Sequence, residues 1–120
     1  MARILLADDD TAMRNALEAS LVADGHQVVS ADNGADALMI LTAAPNSFRV
    51  LISDVQMPEL DGFALAEKAL ALNPALKVVL MSGYADGFKK AEHLKPRLAA
   101  ILTKPVSRDD LRAALATALK

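Results

Sequence analysis

Arg3-Ile4-Leu5-Leu6-Ala7-Asp8-Asp9-Asp10 is a short aliphatic run closed by consecutive carboxylates. Val50-Leu51-Ile52-Ser53-Asp54 repeats the arrangement, again with an acid at the end. Apolar runs of this length read as strands buried on both faces. In an open parallel sheet the carboxyl ends of the strands line one crevice. Asp8, Asp9 and Asp54 are therefore expected to converge. Like charges held close repel one another. A divalent cation relieves that repulsion, and clustered hard oxygens suit Mg²⁺.

Working outward, aliphatic or β-branched runs recur at 3–7, 27–31, 49–53, 77–81 and 99–102. Apolar residues at helical spacing fill the intervals. The first helix is expected from Thr11 as N-cap, with Met13, Ala16, Leu17 and Leu21 inward and Gly25 as the left-handed cap. The second follows Asn33-Gly34 and ends before Pro45. The third follows Gly62, buries Ala64, Leu65 and Ala69, and stops before Asn73-Pro74. A fourth is expected over 86–95, ended by Pro96. A fifth follows Ser107, with Asp109 and Asp110 in its first turn, where acid favours the helix dipole. Strand–helix alternation repeated five times predicts an α/β fold: a doubly wound parallel five-stranded sheet with right-handed crossovers. Residues 1–120 are expected to form a single domain, without linker or low-complexity segment.

Composition removes several functional classes. Apolar residues make up 53% and aromatics 3% of the 120 residues, so the core is aliphatic. Net charge is −2 with both signs interspersed, and no basic stripe invites nucleic acid. There is no cysteine, which excludes disulfides and thiolate metal sites. No apolar stretch reaches the roughly 18 residues of a membrane span. The acids arrive too early for a signal peptide, so a cytoplasmic protein is expected. His26 and His93 read as surface residues.

The motifs together resemble the receiver domain of two-component response regulators, chemotaxis-regulator-like in form. The residues that carry the resemblance are Leu6-Ala7-Asp8-Asp9-Asp10, Asp32-Asn33-Gly34, Asp54-Val55-Gln56-Met57-Pro58 with Asp61-Gly62, Met81-Ser82-Gly83, and Thr103-Lys104-Pro105. They span nearly the whole chain in order. The resemblance implies a flavodoxin-like (βα)5 fold with strand order 2-1-3-4-5. It implies that Asp54 is the phosphoacceptor, taking a phosphoryl group from a histidine kinase or a histidine phosphotransfer protein. Mg²⁺ would be held by Asp8, Asp9, Asp54 and the main-chain carbonyl of Gln56. Lys104 would reach a phosphoryl oxygen and pair with Asp54 when no phosphate is present. Ser82 would donate its hydroxyl to the phosphoryl group and pull the following loop inward. Asp10 is left as an acidic N-cap. The Lys104-Pro105 peptide is expected to be cis, as in relatives.

Phosphorylation would change the affinity of the face built from the fourth helix, fifth strand and fifth helix for a downstream protein target. A weak dimer on phosphorylation stays open. The start at Met1-Ala2-Arg3 suggests a stand-alone or N-terminal receiver, while Met81-Ser82-Gly83-Tyr84-Ala85 resembles receivers attached to hybrid kinases. One departure stands out. Many receivers carry an aromatic residue three positions before the lysine; here it is Ile101. Tyr84 is a candidate substitute, either reporting phosphorylation by its packing or covering the crevice. Asp86-Gly87-Phe88-Lys89-Lys90 is glycine-broken and charged, which favours a mobile element. The alternative function is a small Mg²⁺-dependent phosphatase working through an aspartyl phosphate. It would need a second acid two residues after the nucleophile, where Gln56 stands. A flavin-binding relative would need a Ser/Thr/Gly-rich phosphate loop after the first strand, where three acids stand instead.

Overall fold

The computed structural model describes residues 2–83 and 92–120. Its strands are β1 (Arg3–Ala7), β2 (Gln27–Ala31), β3 (Val50–Asp54), β4 (Lys77–Ser82) and β5 (Ala100–Thr103). The helices among the described residues are α1 (Thr11–Ala23), α2 (Gly34–Ala43), α3 (Gly62–Leu72) and α4 (Arg108–Ala118). All strand pairs are parallel, in the order β2-β1-β3-β4-β5. The chain thus steps outward from β1 in both directions. The switch lies between β1 and β3, where a crevice opens at the strands' carboxyl ends.

Alternation along each strand divides the core into two layers. Leu5, Leu51, Val78 and Leu80 face one side and pack with Leu41, Leu65 and Ala69. Ile4, Leu6, Ile52, Val79 and Met81 face the other and pack with Leu17, Leu21, Leu111 and Leu115. Central strands β1, β3 and β4 are covered on both faces, which is why they read as unbroken apolar runs. The edge strands β2 and β5 are only half covered.

Each helix begins on a side-chain acceptor: Asp10, Asn33, Asp61 and Ser107. Of the two cap candidates for α1, Thr11 and Asp10, the fold uses Asp10, whose Oδ1 accepts the Met13 N–H at 3.1 Å. A carboxylate accepts as well as a hydroxyl and adds charge of the right sign at the helix N-terminus. Gly25, at φ +92°, ends α1 in the left-handed region, and His26 N–H returns to the Leu21 carbonyl at 3.1 Å. Ala16 is exposed rather than inward, because Leu17 and Leu21 alone form the buried stripe of α1. Ala64 is half-buried, displaced from the core face of α3 by Leu65, Ala66, Ala69 and Leu70.

Most of the fourth expected helix, and with it Tyr84 and the 86–90 segment, lies outside the described residues. Residues 92–97 form 3-10 turns that run through Pro96 instead of ending before it, with Leu94 fully buried. A proline ring clashes with the carbonyl four residues back in an α-helix, and short 3-10 runs avoid that arrangement. His26 and His93 are not isolated: His26 Nδ1 accepts the Ala2 N–H, and His93 Nε2 lies 2.6 Å from Glu67 Oε1 on the surface.

Candidate functional site

β1 and β3 pair with Ala7 opposite Ser53, so the next residues, Asp8 just past β1 and Asp54 at the end of β3, lie side by side. Asp8 is fully buried and Asp54 is 5% exposed, while Asp9 faces solvent. One carboxylate oxygen from each of Asp8, Asp9 and Asp54 lies within 4.8 Å of the others. Asp8 Oδ1 accepts the Asp10 N–H at 3.0 Å, but its Oδ2 is buried without a hydrogen-bond partner. Burial raises the Asp8 pKa, against the pull of the Asp10 N–H and Lys104, and the neighbouring charges of Asp54 and Asp10 add to the rise.

Asp54 has both oxygens occupied. Oδ1 accepts the Gln56 N–H at 3.3 Å, and Oδ2 accepts from Lys104 Nζ at 2.8 Å. Burial alone would lower the Lys104 pKa; the hydrogen bond to Asp54 and the attraction of Asp8 outweigh it, and the net shift is upward. Lys104 therefore remains a cation. It is placed by the main chain: Lys104 N–H donates to the Ser82 carbonyl at 2.9 Å, continuing the β4–β5 ladder one step past Thr103. The Lys104-Pro105 peptide is cis. Asp54 pairs with Met81, so Ser82, which is buried, sits one residue further toward the crevice.

Gly62 closes the site from below. A Cβ there would meet the Asp54 carbonyl oxygen and the Val55 Cα, so only glycine lets the start of α3 approach β3 this closely. Its N–H donates to the Val55 carbonyl at 2.8 Å. Asp61, beside it, caps α3. Gly34 repeats the device at the start of α2, against the Leu60 carbonyl. Asp32 is exposed and accepts from Asn33 Nδ2, away from the buried carboxylates.

Hard oxygens from three strand-end acids, one of them buried with nothing to bond, match what a small divalent cation requires. The structure brings Asp8, Asp9, Asp54 and Lys104 together and sets the Gln56 N–H on Asp54, while Ser82 is buried at the end of β4. Ile101, at the position often aromatic, is 38% exposed on the edge strand. One contributor has no motif to announce it. Arg14 Nη1 donates to the main-chain oxygen of Asp8 at 2.9 Å. Its only sequence signal is helical spacing, one turn after Asp10.

A family model described as "response regulator receiver domain" matches residues 4–116. The chain belongs to this family. The receiver domain is 40% identical over 111 residues to the response regulator receiver protein CpdR of Brucella abortus, covering 92% of this chain and 91% of CpdR. It superposes on a response regulator receiver domain from Clostridium thermocellum with TM-score 0.91 and 29% identity, covering 99% and 94% of the two chains. The receiver domain of the hybrid histidine kinase CckA matches with TM-score 0.83 and 31% identity, over 98% and 99%. Several longer relatives also match, and this chain spans only 12% to 26% of their length. Receiver domains accept phosphoryl groups in two-component signalling, and the phosphatase alternative is not favoured. Among the described residues no helix is long and apolar enough to cross a membrane.

Proposed function

We propose that Asp54 is the phosphoacceptor of this receiver domain and that residues 1–120 act as one unit. The observation that carries the reading is the pairing of Asp54 Oδ2 with Lys104 Nζ at 2.8 Å, inside a cluster that also holds Asp8 and Asp9. A strand-end carboxylate at the mouth of a crevice, held by a neighbouring ammonium, is placed as a nucleophile. An Asp54 oxygen bonds to phosphorus as the bond from phosphorus to the donor's histidine nitrogen breaks, and that nitrogen keeps the electron pair. Asp8, Asp9, Asp54 and the Gln56 carbonyl would hold Mg²⁺, which when bound neutralises charge on the transferring phosphoryl group. Lys104 then exchanges the Asp54 carboxylate for a phosphoryl oxygen, and the Ser82 hydroxyl donates to another.

The donor is a histidine kinase or a histidine phosphotransfer protein in the cytoplasm. The readout is a changed affinity of the face containing β5 and α4 for a protein target. The chain itself is a signalling module whose only turnover is gain and loss of its own phosphoryl group. Gln56 supports this, since it offers no carboxylate to move a proton for external substrates.

Acetyl phosphate with Mg²⁺ is expected to add the mass of one phosphoryl group, labile to base, and Asp54→Asn is expected to remove that gain. Uptake that survives in Asp54→Asn, or that proceeds unchanged in excess chelator, would overturn the reading.

A further inference from the structure

The carbonyl of Asp8 lies just beyond the last paired residue of β1, Ala7, so the sheet no longer supplies it with a donor. Arg14 supplies one instead, reaching back from the first turns of α1 to donate Nη1 at 2.9 Å. That carbonyl belongs to the peptide that joins Asp8 to Asp9. The loop is fixed at other points too: Asp8 N–H on the Ala31 carbonyl at 3.1 Å, Asp10 N–H on Asp8 Oδ1 at 3.0 Å, and Arg14 N–H on the Asp10 carbonyl at 2.8 Å. Asp9 differs from its neighbours. Its side chain is exposed and takes no hydrogen bond among the described residues, so its aim is set by its backbone. Arg14 is the side chain that holds the plane of the preceding peptide. Arg14 also lines a cavity together with Ser30, Asp32 and Asp36.

We propose that Arg14 is a positioning residue for the metal site: by clamping the Asp8–Asp9 peptide it aims the Asp9 carboxylate at the cation shared with Asp8 and Asp54. The proposal rests on the metal reading given above. Its charge and its geometry act in opposite directions. As a cation near a cation site, Arg14 repels Mg²⁺, so charge alone makes its removal tighten binding. As a clamp, it organises a ligand, and partners of that kind change metal affinity by about tenfold to a hundredfold. The sign of the effect therefore separates the roles.

The test titrates Mg²⁺ by calorimetry into the wild-type chain, Arg14→Ala and Arg14→Lys, with thermal midpoints recorded in chelator. Arg14→Ala is expected to weaken Mg²⁺ binding by about tenfold or more. Arg14→Lys, whose ammonium can donate to the same carbonyl, is expected to recover most of that loss. Phosphoryl uptake from acetyl phosphate in Arg14→Ala should return to the wild-type rate at saturating Mg²⁺, which a collapsed site could not do. Unchanged or tighter Mg²⁺ binding in Arg14→Ala would overturn the proposal and leave the metal reading intact. If Arg14→Ala does not fold, Arg14→Met, which keeps the length and removes the donor, takes its place: weaker Mg²⁺ binding that Arg14→Lys recovers supports the clamp, and unchanged or tighter binding overturns it. No Mg²⁺ binding by the wild-type chain would overturn the metal reading and this proposal together.

Discussion

Lys104 Nζ lies 2.8 Å from Asp54 Oδ2, which ties the last residue of β3 to the loop that leaves β5. The pair spans two strand ends with β4 between them, and it is mostly buried: the side chains are 24% and 7% exposed. Lys104 is thus the internal counter-ion of a carboxylate cluster that has otherwise too much negative charge.

Removing that counter-ion has two consequences of opposite sign. Lys104→Ala leaves Asp54 and Asp8 facing each other uncompensated, and breaking a buried pair costs up to about 3–5 kcal/mol, less here because Lys104 is partly exposed. The same variant is expected to bind Mg²⁺ more tightly, by up to about tenfold, because a competing cation is gone. Phosphoryl uptake should nonetheless fall. Urea denaturation in chelator, Mg²⁺ calorimetry and intact mass after acetyl phosphate check the three arms separately.

Burying the Asp8 carboxyl group comes at a cost to the fold. One oxygen is buried and unbonded, and burial raises its pKa. Asp8→Asn keeps an acceptor for the Asp10 N–H and removes the buried charge. It is expected to stabilise the metal-free protein by roughly 1 kcal/mol, or about 4 °C in thermal midpoint, while Mg²⁺ binding is lost. Thermal melts with and without Mg²⁺ read both effects.

Gly62 permits a backbone approach that no other residue allows. Gly62→Ala drives a methyl group into the Asp54 carbonyl and the Val55 Cα. A destabilisation of roughly 1–3 kcal/mol is expected, with slower phosphoryl uptake because the strain falls on the acceptor's own backbone. Chemical denaturation and timed intact-mass measurements check it.

Acid sensitivity should come partly from an ion pair outside the carboxylate cluster. Arg112 binds Asp24 with two donors, Nε at 2.9 Å and Nη2 at 2.8 Å, and Arg108 adds a third at 3.3 Å. The hydrogen bond from Arg112 is the chief cause that lowers Asp24 from 3.8 to about 2. A lowered folded-state pKa means that the unfolded chain binds a proton first. The contribution to stability is complete above pH 3.8 and is lost as pH falls toward about 2. Asp24→Asn should flatten the fall in urea midpoint across that window and leave the pH profile at neutral pH unchanged.

Much of this architecture was legible in the chain. Ile4-Leu5-Leu6 and Leu51-Ile52 could only be strands covered on both faces, and five such runs separated by helical spacing leave little choice but a parallel sheet. Helix starts were less secure at the level of single residues. Thr11 and Asp10 compete for the same cap, and the difference between them is local geometry rather than composition. Ala16 and Ala64 show a related difficulty, since alanine sits comfortably on either side of a helix and its burial depends on which larger neighbours claim the core face.

Residue order alone determined that carboxylates would end β1 and β3, and that a lysine and a serine would end β5 and β4, because hydrophobic runs and their polar stops are written one after another along the backbone. Tertiary structure alone decided that Asp8 would lose water on one oxygen, that Lys104 would reach Asp54 across β4, and that Arg14 would hold the peptide between two acids. Those outcomes depend on distances between strands and on which atoms remain exposed to solvent, and such quantities exist only once separate segments have packed together.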